Sequence, residues 1–344
     1  MPLPAVMIGA DPLLRVTDLK VHFGARAALH DVSFDLFAGE TVGLVGESGS
    51  GKSTLARAIL RLVRASGGSV LWRGRDLLSC SGGALRALRR DLQIVFQDPL
   101  ASLDPCMTVG ESIAEPLRIF ESRLTAAARS ARVGEMLRRV GLAADMMGRY
   151  PHEFSGGQCQ RIGIARAMIL RPRLLICDEP VSSLDVSIQG QIVNLLLELQ
   201  RDADTAMLFI SHNLAVVRHL SHRILVMYSG TLVEIAARDA LFATPVHPYT
   251  RALLAAVPPP PTERSAAHTA TVGPPAFASM SPSAGGCAFT GRCGYALEVC
   301  STDVPALEEI AAGHWTACHR ARELMSQSAH LPLGRADASG GTVV

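Results

Sequence analysis

Neither sign of charge dominates this chain. Its 344 residues carry 33 Lys and Arg against 31 Asp and Glu, a net charge of +2, so no bulk electrostatic attraction draws it to nucleic acid. Nowhere does it run for about eighteen uncharged apolar residues, which excludes a membrane-spanning helix of ordinary length. Its start, Met1–Arg15, has no basic segment ahead of a long apolar core and is not expected to act as a signal peptide. Charged residues make up only 19%, and mean hydropathy is +0.24. A chain this apolar without a span predicts a largely buried sheet and a surface that docks on something. Cysteine is not scarce. Cys80, Cys106, Cys159 and Cys177 are scattered, whereas Cys287, Cys293, Cys300 and Cys318 cluster towards the C-terminus. Without an export signal, that cluster suits metal ligation better than a disulfide framework.

The chain is organised around Gly46-Glu47-Ser48-Gly49-Ser50-Gly51-Lys52-Ser53-Thr54. An apolar run, Thr41–Val45, precedes it as a buried strand, and Leu55–Leu62 follows with the apolar spacing of a helix. Strand, glycine-rich loop and helix form the context in which GxxxxGK[ST] is a phosphate site. The glycines let successive N–H groups curl round an anion, and the helix start adds its positive dipole end. Lys52 is expected to reach the β- and γ-phosphates of a nucleoside triphosphate, and Ser53 to ligate Mg²⁺.

Upstream, 14–23 and 32–36 alternate as antiparallel strands. Phe23 or His22 can stack on an adenine base if the strand end folds over the nucleotide; the same spacing suits a half-buried strand aromatic. Downstream, 67–74 and 92–96 are short strands, the second leading into Gln97, which can offer an amide oxygen to Mg²⁺ or orient a water. From Val109 to Gly141 the pattern is helical, an insertion between two halves of a nucleotide core. Ser155 caps a helix expected from about Gln158 to Leu170, and Gly156-Gly157 expose N–H groups at its positive end, a second anion site. One triphosphate has no obvious use for two such loops from one chain; a dimer in which each loop closes on its partner's nucleotide does.

Leu174–Cys177 has the continuous apolarity of a parallel strand covered on both faces, and it ends in Asp178-Glu179. Ligands of open α/β sheets sit beyond the carboxyl ends of the strands, so both carboxylates are expected at the phosphates. Asp178 would hold Mg²⁺ through water and Glu179 would polarise the attacking water. Ser183-Leu184-Asp185 leads into a helix around 188–199. Strand 206–210 ends at His212, placed to sense a γ-phosphate. A hairpin, 223–227 with 231–235, and helices around 238–243 and 247–257 close the core. The Pro-rich run 257–262 is expected to be a stiff linker and a domain boundary, with little periodicity beyond it to build a second core.

This order of motifs resembles the ABC transporter ATPases over residues ~14–257, with Ser155-Gly156-Gly157-Gln158 as the discriminating element. The Asn-Lys-x-Asp of GTPases is absent. The resemblance implies Walker A, Q-loop, signature, Walker B, D-loop and switch-His roles at these positions, and a head-to-tail ATP-sandwich dimer. Within the family, Val95–Pro105, Tyr150–Gln158, Asp185–Gln189 and His247–Leu254 are similar to the oligopeptide/dipeptide importers, in particular to the second of their two paralogous ATPases. The tail, from Gly286-Cys287 through Cys293 and Cys300 to Cys318-His319, resembles their C-terminal extension. That extension implies a [4Fe–4S] cluster on Cys287, Cys293, Cys300 and Cys318; four thiolates also suit Zn²⁺. Gly294 stands where the subfamily usually has Pro, and Cys159 where the family usually has a basic residue. A thiol so near a helix start can have a lowered pKa, and its oxidation would block dimer closure.

The expected fold is α/β: a phosphate-loop core with an antiparallel β subdomain and a helical insertion (about 98–172) within residues 1–257, then a linker and small Cys-containing extension over 258–344. The expected activity is ATP hydrolysis that powers import of peptides or a similar solute. The alternative is a soluble ABC ATPase acting on DNA or ribosomes. The resemblance implies two membrane permease subunits, a sister ATPase, an extracytoplasmic solute-binding protein acting indirectly, no nucleic acid, and a place on the cytoplasmic face of the inner membrane.

Overall fold

The computed structural model describes residues 11–256 and 285–328. The Pro-rich run 257–262, expected to be a linker, lies outside them. The chain divides into two compact units, Met1–Arg238 and Asp239–Val344.

In the first unit, β1 (Leu14–Phe23) and β2 (Arg26–Leu36) form a long antiparallel pair, in register from Leu14 opposite Leu36 to Phe23 opposite Arg26. Leu14, Val16, Leu19 and Val21 of β1 are all buried, and bulges between them reset the alternation. After β3 (Thr41–Val45) and α1 (Lys52–Ile59), the chain returns as β4 (Gly67–Trp72) and β5 (Arg75–Asp76), giving an antiparallel sheet of order β2-β1-β4-β5. This is the antiparallel subdomain that the alternation of 14–23 and 32–36 predicts. A short helix, α2 (Gly82–Leu88), leads to β6 (Leu92–Val95).

The insertion contains α3 (Val109–Phe120), α4 (Ala126–Arg139) and α5 (Gly156–Met168). Helix α3 starts at a reciprocal cap: Glu111 N donates to Thr108 Oγ1 and Thr108 N to Glu111 Oε2. Its buried stripe, Val109, Ile113 and Leu117, packs against α5.

The chain then re-enters the core through β7 (Leu174–Asp178), α6 (Val186–Ala203), β8 (Ala206–Ile210), α7 (Leu214–Leu220), β9 (Arg223–Tyr228) and β10 (Thr231–Ala237). Within this unit the strands lie in the order β10-β9-β3-β8-β7-β6. Only the β9–β10 hairpin is antiparallel. Every residue of β3, β7 and β8 is buried, as their unbroken apolarity requires of strands covered on both faces.

The register levels the strand ends. Leu44 of β3 and Asp178 of β7 both pair with Ile210 of β8, Val95 of β6 pairs with Cys177, and Val45 with Val226 of β9. The loops leaving β3, β6, β7, β8 and β9 therefore emerge along one edge, the place where open α/β sheets bind ligands.

The second unit holds α8 (Arg238–Ala243, whose first residue closes the first unit), α9 (Pro248–Ala255), the hairpin of β11 (Glu308–Ala311) with β12 (His314–Thr316), and α10 (Ala321–Ser328). The expectation of little core-building pattern in the tail is corrected here. Val246, Ala321 and Leu324 form a buried cluster flanked by Ile310, Cys318 and Met325. The elements are too short to show a period: α10 supplies Ala321, Leu324 and Met325, β11 only Ile310, and Val246 comes from the loop before α9.

Candidate functional site

A cleft of about 470 Å³ opens at that edge of the first unit. Its floor is the glycine-rich loop. Gly46, Gly49 and Gly51 have φ of 156°, 79° and 106°, conformations that a side chain rarely adopts. At Gly46 a Cβ would also fall 2.2 Å from the Met227 carbonyl oxygen. Ser50 N donates to Glu47 O at 3.2 Å and closes the loop on itself.

Lys52, the first residue of α1, is buried and folds over this loop. Its Nζ donates to Gly46 O and Glu47 O, both at 2.8 Å, and approaches Ser50 Oγ at 3.5 Å. Burial pushes its ammonium group below the usual lysine range, opposed by the charges of Glu179, Asp178 and Glu47. The next residue, Ser53, donates its hydroxyl to Asp178 Oδ1 at 2.7 Å. Asp178 is 1% exposed, and burial raises its carboxyl pKa against the hydrogen bond from Ser53 and the charges of Arg57 and Lys52. A buried carboxylate paired with a hydroxyl is a hard-oxygen set that fits Mg²⁺, whose charge would relieve the desolvation.

Glu179 sits one step beyond β7 with φ of 48°, its N–H donating to Ile210 O at 3.1 Å. That turn aims its side chain along the edge. Gln97 Nε2 donates to Glu179 Oε2 at 3.3 Å, and His212 Nδ1 lies 3.2 Å from the same oxygen. Three strand ends thus meet on one carboxylate. The sequence predicts each of these residues, and the fold brings them together.

Of the predicted loop residues, Ser48, Gly49, Gly51, Lys52, Ser53 and Thr54 line the cleft, while Gly46, Glu47 and Ser50 hold the lysine behind it. Phe23, 53% exposed, lines the cleft with Gln97 and Glu179.

Arg26, Ala27, Ala28, Ser229 and Gly230 also line it and were not legible as site residues. Ser229-Gly230 is the β9–β10 turn, with both φ positive. Gly230 N donates to Ser50 O at 2.8 Å, and its carbonyl accepts from His30 N at 2.9 Å. The turn therefore pins the phosphate loop to β2. A Ser-Gly pair between two apolar runs signals a hairpin turn but not what the turn touches.

Ser155, Gly156, Gly157 and Gln158 do not join this cleft. Ser155 caps α5 by accepting from Gln158 N at 3.4 Å, and its own N–H donates to Gln158 Oε1 at 3.0 Å. Ser155 and Gly156 are exposed. The helix begins at Gly156, two residues earlier than the pattern suggests, and so includes both glycines. Cys159 requires a correction. It is fully buried, its Sγ directed at Pro151 O (3.4 Å) and Phe154 O (4.0 Å), and burial raises its pKa. A neutral thiol sealed in the core is not the exposed thiolate that ready oxidation needs.

In the second unit, Cys287, Cys293, Cys300 and Cys318 line one small cavity with His247, Phe289 and Tyr295 among its other walls. Leu297 N donates to Cys300 Sγ at 3.4 Å, and the backbone at Tyr295 and at Arg320 favours the thiolates of Cys293 and Cys318 against their burial. Burial pushes the Cys318 thiol up to about 11. Among the described residues no group of three or more His, Cys, Asp or Glu is arranged to hold a metal ion. The thiols share a cavity without closing to single-ion spacing.

Comparison with known proteins places these features in context. Residues 29–182 match the ABC transporter family, and residues 233–300 match the oligopeptide/dipeptide transporter C-terminal region. The chain is 49% identical over 317 residues to the oligopeptide transport ATP-binding protein OppF of Escherichia coli K12, covering 88% of this chain and 95% of that protein. It is 46% identical over 352 residues to a probable peptide ABC transporter ATP-binding protein of Sinorhizobium fredii, covering 97% and 99%. Among solved structures, cbiO1 from Clostridium perfringens, part of an ABC transporter complex, superposes with a TM-score of 0.62 at 26% identity, covering 68% of this chain and 92% of that one. A dimeric ATP-binding cassette in a post-hydrolysis state, bound to ADP and Pi, gives 0.60 at 28%, covering 65% and 98%. Among the described residues no helix is long and apolar enough to cross a membrane.

Proposed function

Because the chain belongs to the ATP-binding subunits of the oligopeptide/dipeptide ABC transporters, we propose that it hydrolyses ATP to power import of peptides through a separate membrane permease. The observation that carries this reading is the meeting of Lys52, the Ser53–Asp178 pair and Glu179 at one cleft edge.

Lys52, already directed into the loop, exchanges its carbonyl partners for the β- and γ-phosphate oxygens of ATP. Phe23 offers its exposed ring to the adenine. Ser53, Asp178 and Gln97 would hold Mg²⁺, which when bound neutralises phosphate charge. Glu179 orients and deprotonates the attacking water, with His212 and Gln97 fixing the carboxylate that they both touch. Ser155–Gln158, apart from this cleft and exposed at Ser155 and Gly156, would cover the nucleotide of a second ATPase subunit. That arrangement favours a sandwich of two chains, a sister ATPase being the expected partner. Two permease subunits, and a solute-binding protein acting through them, complete the assembly, with this chain peripheral on the cytoplasmic face of the membrane.

Cys287, Cys293, Cys300 and Cys318 would hold a [4Fe–4S] cluster, which when bound supplies one-electron redox chemistry. Their shared cavity and the N–H bond from Leu297 to the Cys300 sulfur support this. Anaerobically purified protein should contain iron and sulfide and lose both in Cys293→Ser; zinc without sulfide would refute the cluster.

The first experiment is isolation of the chain from detergent-solubilised membranes, with ATPase rate read on the isolated complex. Recovery of two multi-span permeases and a sister ATPase, with Mg²⁺-dependent turnover, supports the importer. Recovery of ribosomes or DNA without membrane protein overturns it.

A further inference from the structure

Gln97 opens a loop whose far end is held by α5. Asp98 Oδ1 accepts from Ala101 N at 3.0 Å, Ser102 Oγ donates to Pro99 O at 2.8 Å, and Leu103 N donates to Leu100 O at 3.1 Å. These bonds make the segment from Asp98 to Leu103 a closed turn with little internal slack. Leu103 anchors it in the core, 4% exposed, while Leu100 stands half-exposed at its tip.

The exit of this turn is tied to one side chain. Arg166, in the last turn of α5, donates from NH1 to Ser102 O at 2.6 Å. Three residues earlier on the same helix, Gly163 faces the turn, and a Cβ there would meet Ser102 Oγ at an ordinary contact distance of 4.0 Å. Burial lowers the Arg166 pKa, opposed by Glu115 on α3. A half-buried guanidinium spent on one backbone carbonyl is a directional, charge-assisted bond.

We propose that Arg166 is a positioning residue that couples Gln97 at the nucleotide to the helix carrying Ser155–Gln158. Gln97 holds Glu179 at one end of the turn, and Arg166 holds α5 at the other. A shift of Gln97 then moves the start of α5 as part of one body. Without the guanidinium, Gln97 still reaches its site, but α5 no longer follows it. The inference rests on the ATPase reading above.

The test is a double-mutant cycle on the intact transporter complex, pairing Arg166→Met with Gln97→Ala, with Arg166→Lys as the conservative variant. Mg²⁺-dependent turnover by the wild-type complex establishes the ATPase reading first; its absence overturns both. Arg166→Met is expected to lower kcat about 10-fold and leave ATP affinity within about twofold of wild type, with Arg166→Lys recovering part of the loss. In the Gln97→Ala background the same substitution should cost less than about twofold, because the link then leads nowhere. An equal loss in both backgrounds, an unchanged kcat, or a fall in ATP affinity that accompanies lost thermal stability overturns the coupling. Should Arg166→Met fail to fold, Arg166→Lys runs through the same cycle and is judged by the same non-additivity.

Discussion

Ser53 and Asp178, 125 residues apart in sequence, are joined by a 2.7 Å hydrogen bond that ties the start of α1 to the end of β7. The serine donates and the carboxylate accepts, so the phosphate loop is coupled to the acidic strand end before any ligand arrives. Both oxygens are of the hard type that Mg²⁺ selects. Burial makes the Asp178 charge costly on its own, and a divalent cation offsets that cost.

Asp178→Asn should keep the hydrogen bond from Ser53 while removing the charge. Mg²⁺-dependent turnover should fall about 100-fold or more, and nucleotide binding measured in EDTA should change little. Turnover within about threefold of wild type would remove Asp178 from the cation site.

Glu179→Gln should abolish hydrolysis, by about 10²- to 10⁴-fold, and keep ATP binding. The amide preserves shape and can still contact Gln97 and His212, so the loss isolates the carboxylate's role towards water. Single-turnover hydrolysis measured beside ATP titration separates the two, and undiminished turnover would exclude Glu179 as the base.

His222 should make stability pH-dependent. Its Nδ1 accepts from Thr41 N at 2.9 Å, and burial lowers its pKa from the ordinary 6.5, against the attraction of Glu40. Arg238 adds to the lowering. As pH falls through 6.5 the unfolded chain takes up a proton that the folded one still refuses, so stability is lost on acidification and regained above that value. His222→Asn keeps an acceptor for Thr41 and removes the titration. Melting curves across this range should show a shallower pH slope in the variant.

Gly230→Ala should loosen the phosphate loop from a distance. With φ of 83°, and with a Cβ placed 2.7 Å from Ala28 O and 2.9 Å from His30 Cδ2, the substitution strains the turn and pushes β2 away. A cost of about 1–3 kcal/mol is expected, with weaker ATP binding because Gly230 N also holds Ser50 O. Thermal denaturation and nucleotide titration would each register it; no change in either would contradict the pinning of the phosphate loop by this turn.

How much of this was legible in the sequence follows from the range of the forces involved. The loop from Gly46 to Ser53 declares itself because its glycines, its strand and its helix are contiguous. Asp178, Glu179 and His212 follow from apolar runs that end in polar residues. Ser229-Gly230 reaches the same cleft because β9 pairs with β3, far away in the chain, and no local pattern announces that. Cys159 misled because nearness to a helix start says nothing of which face a side chain takes; the fourth residue of α5 faces inward. The small core around Val246 and Leu324 was invisible because its contributors sit on one two-turn helix, one short strand and loops, none long enough to show a period.

The level strand ends have an evolutionary corollary. Side chains alternate across a strand, so one residue inserted within β7 would turn Asp178 to the other face and carry Glu179 out of reach of Gln97 and His212. The same insertion at an exposed turn, such as that between β4 and β5, would shift nothing at the cleft. Lineages descended from this chain are therefore expected to keep the spacing of the catalytic edge as strictly as its residues. Length variation should accumulate in the surface turns that face away from it.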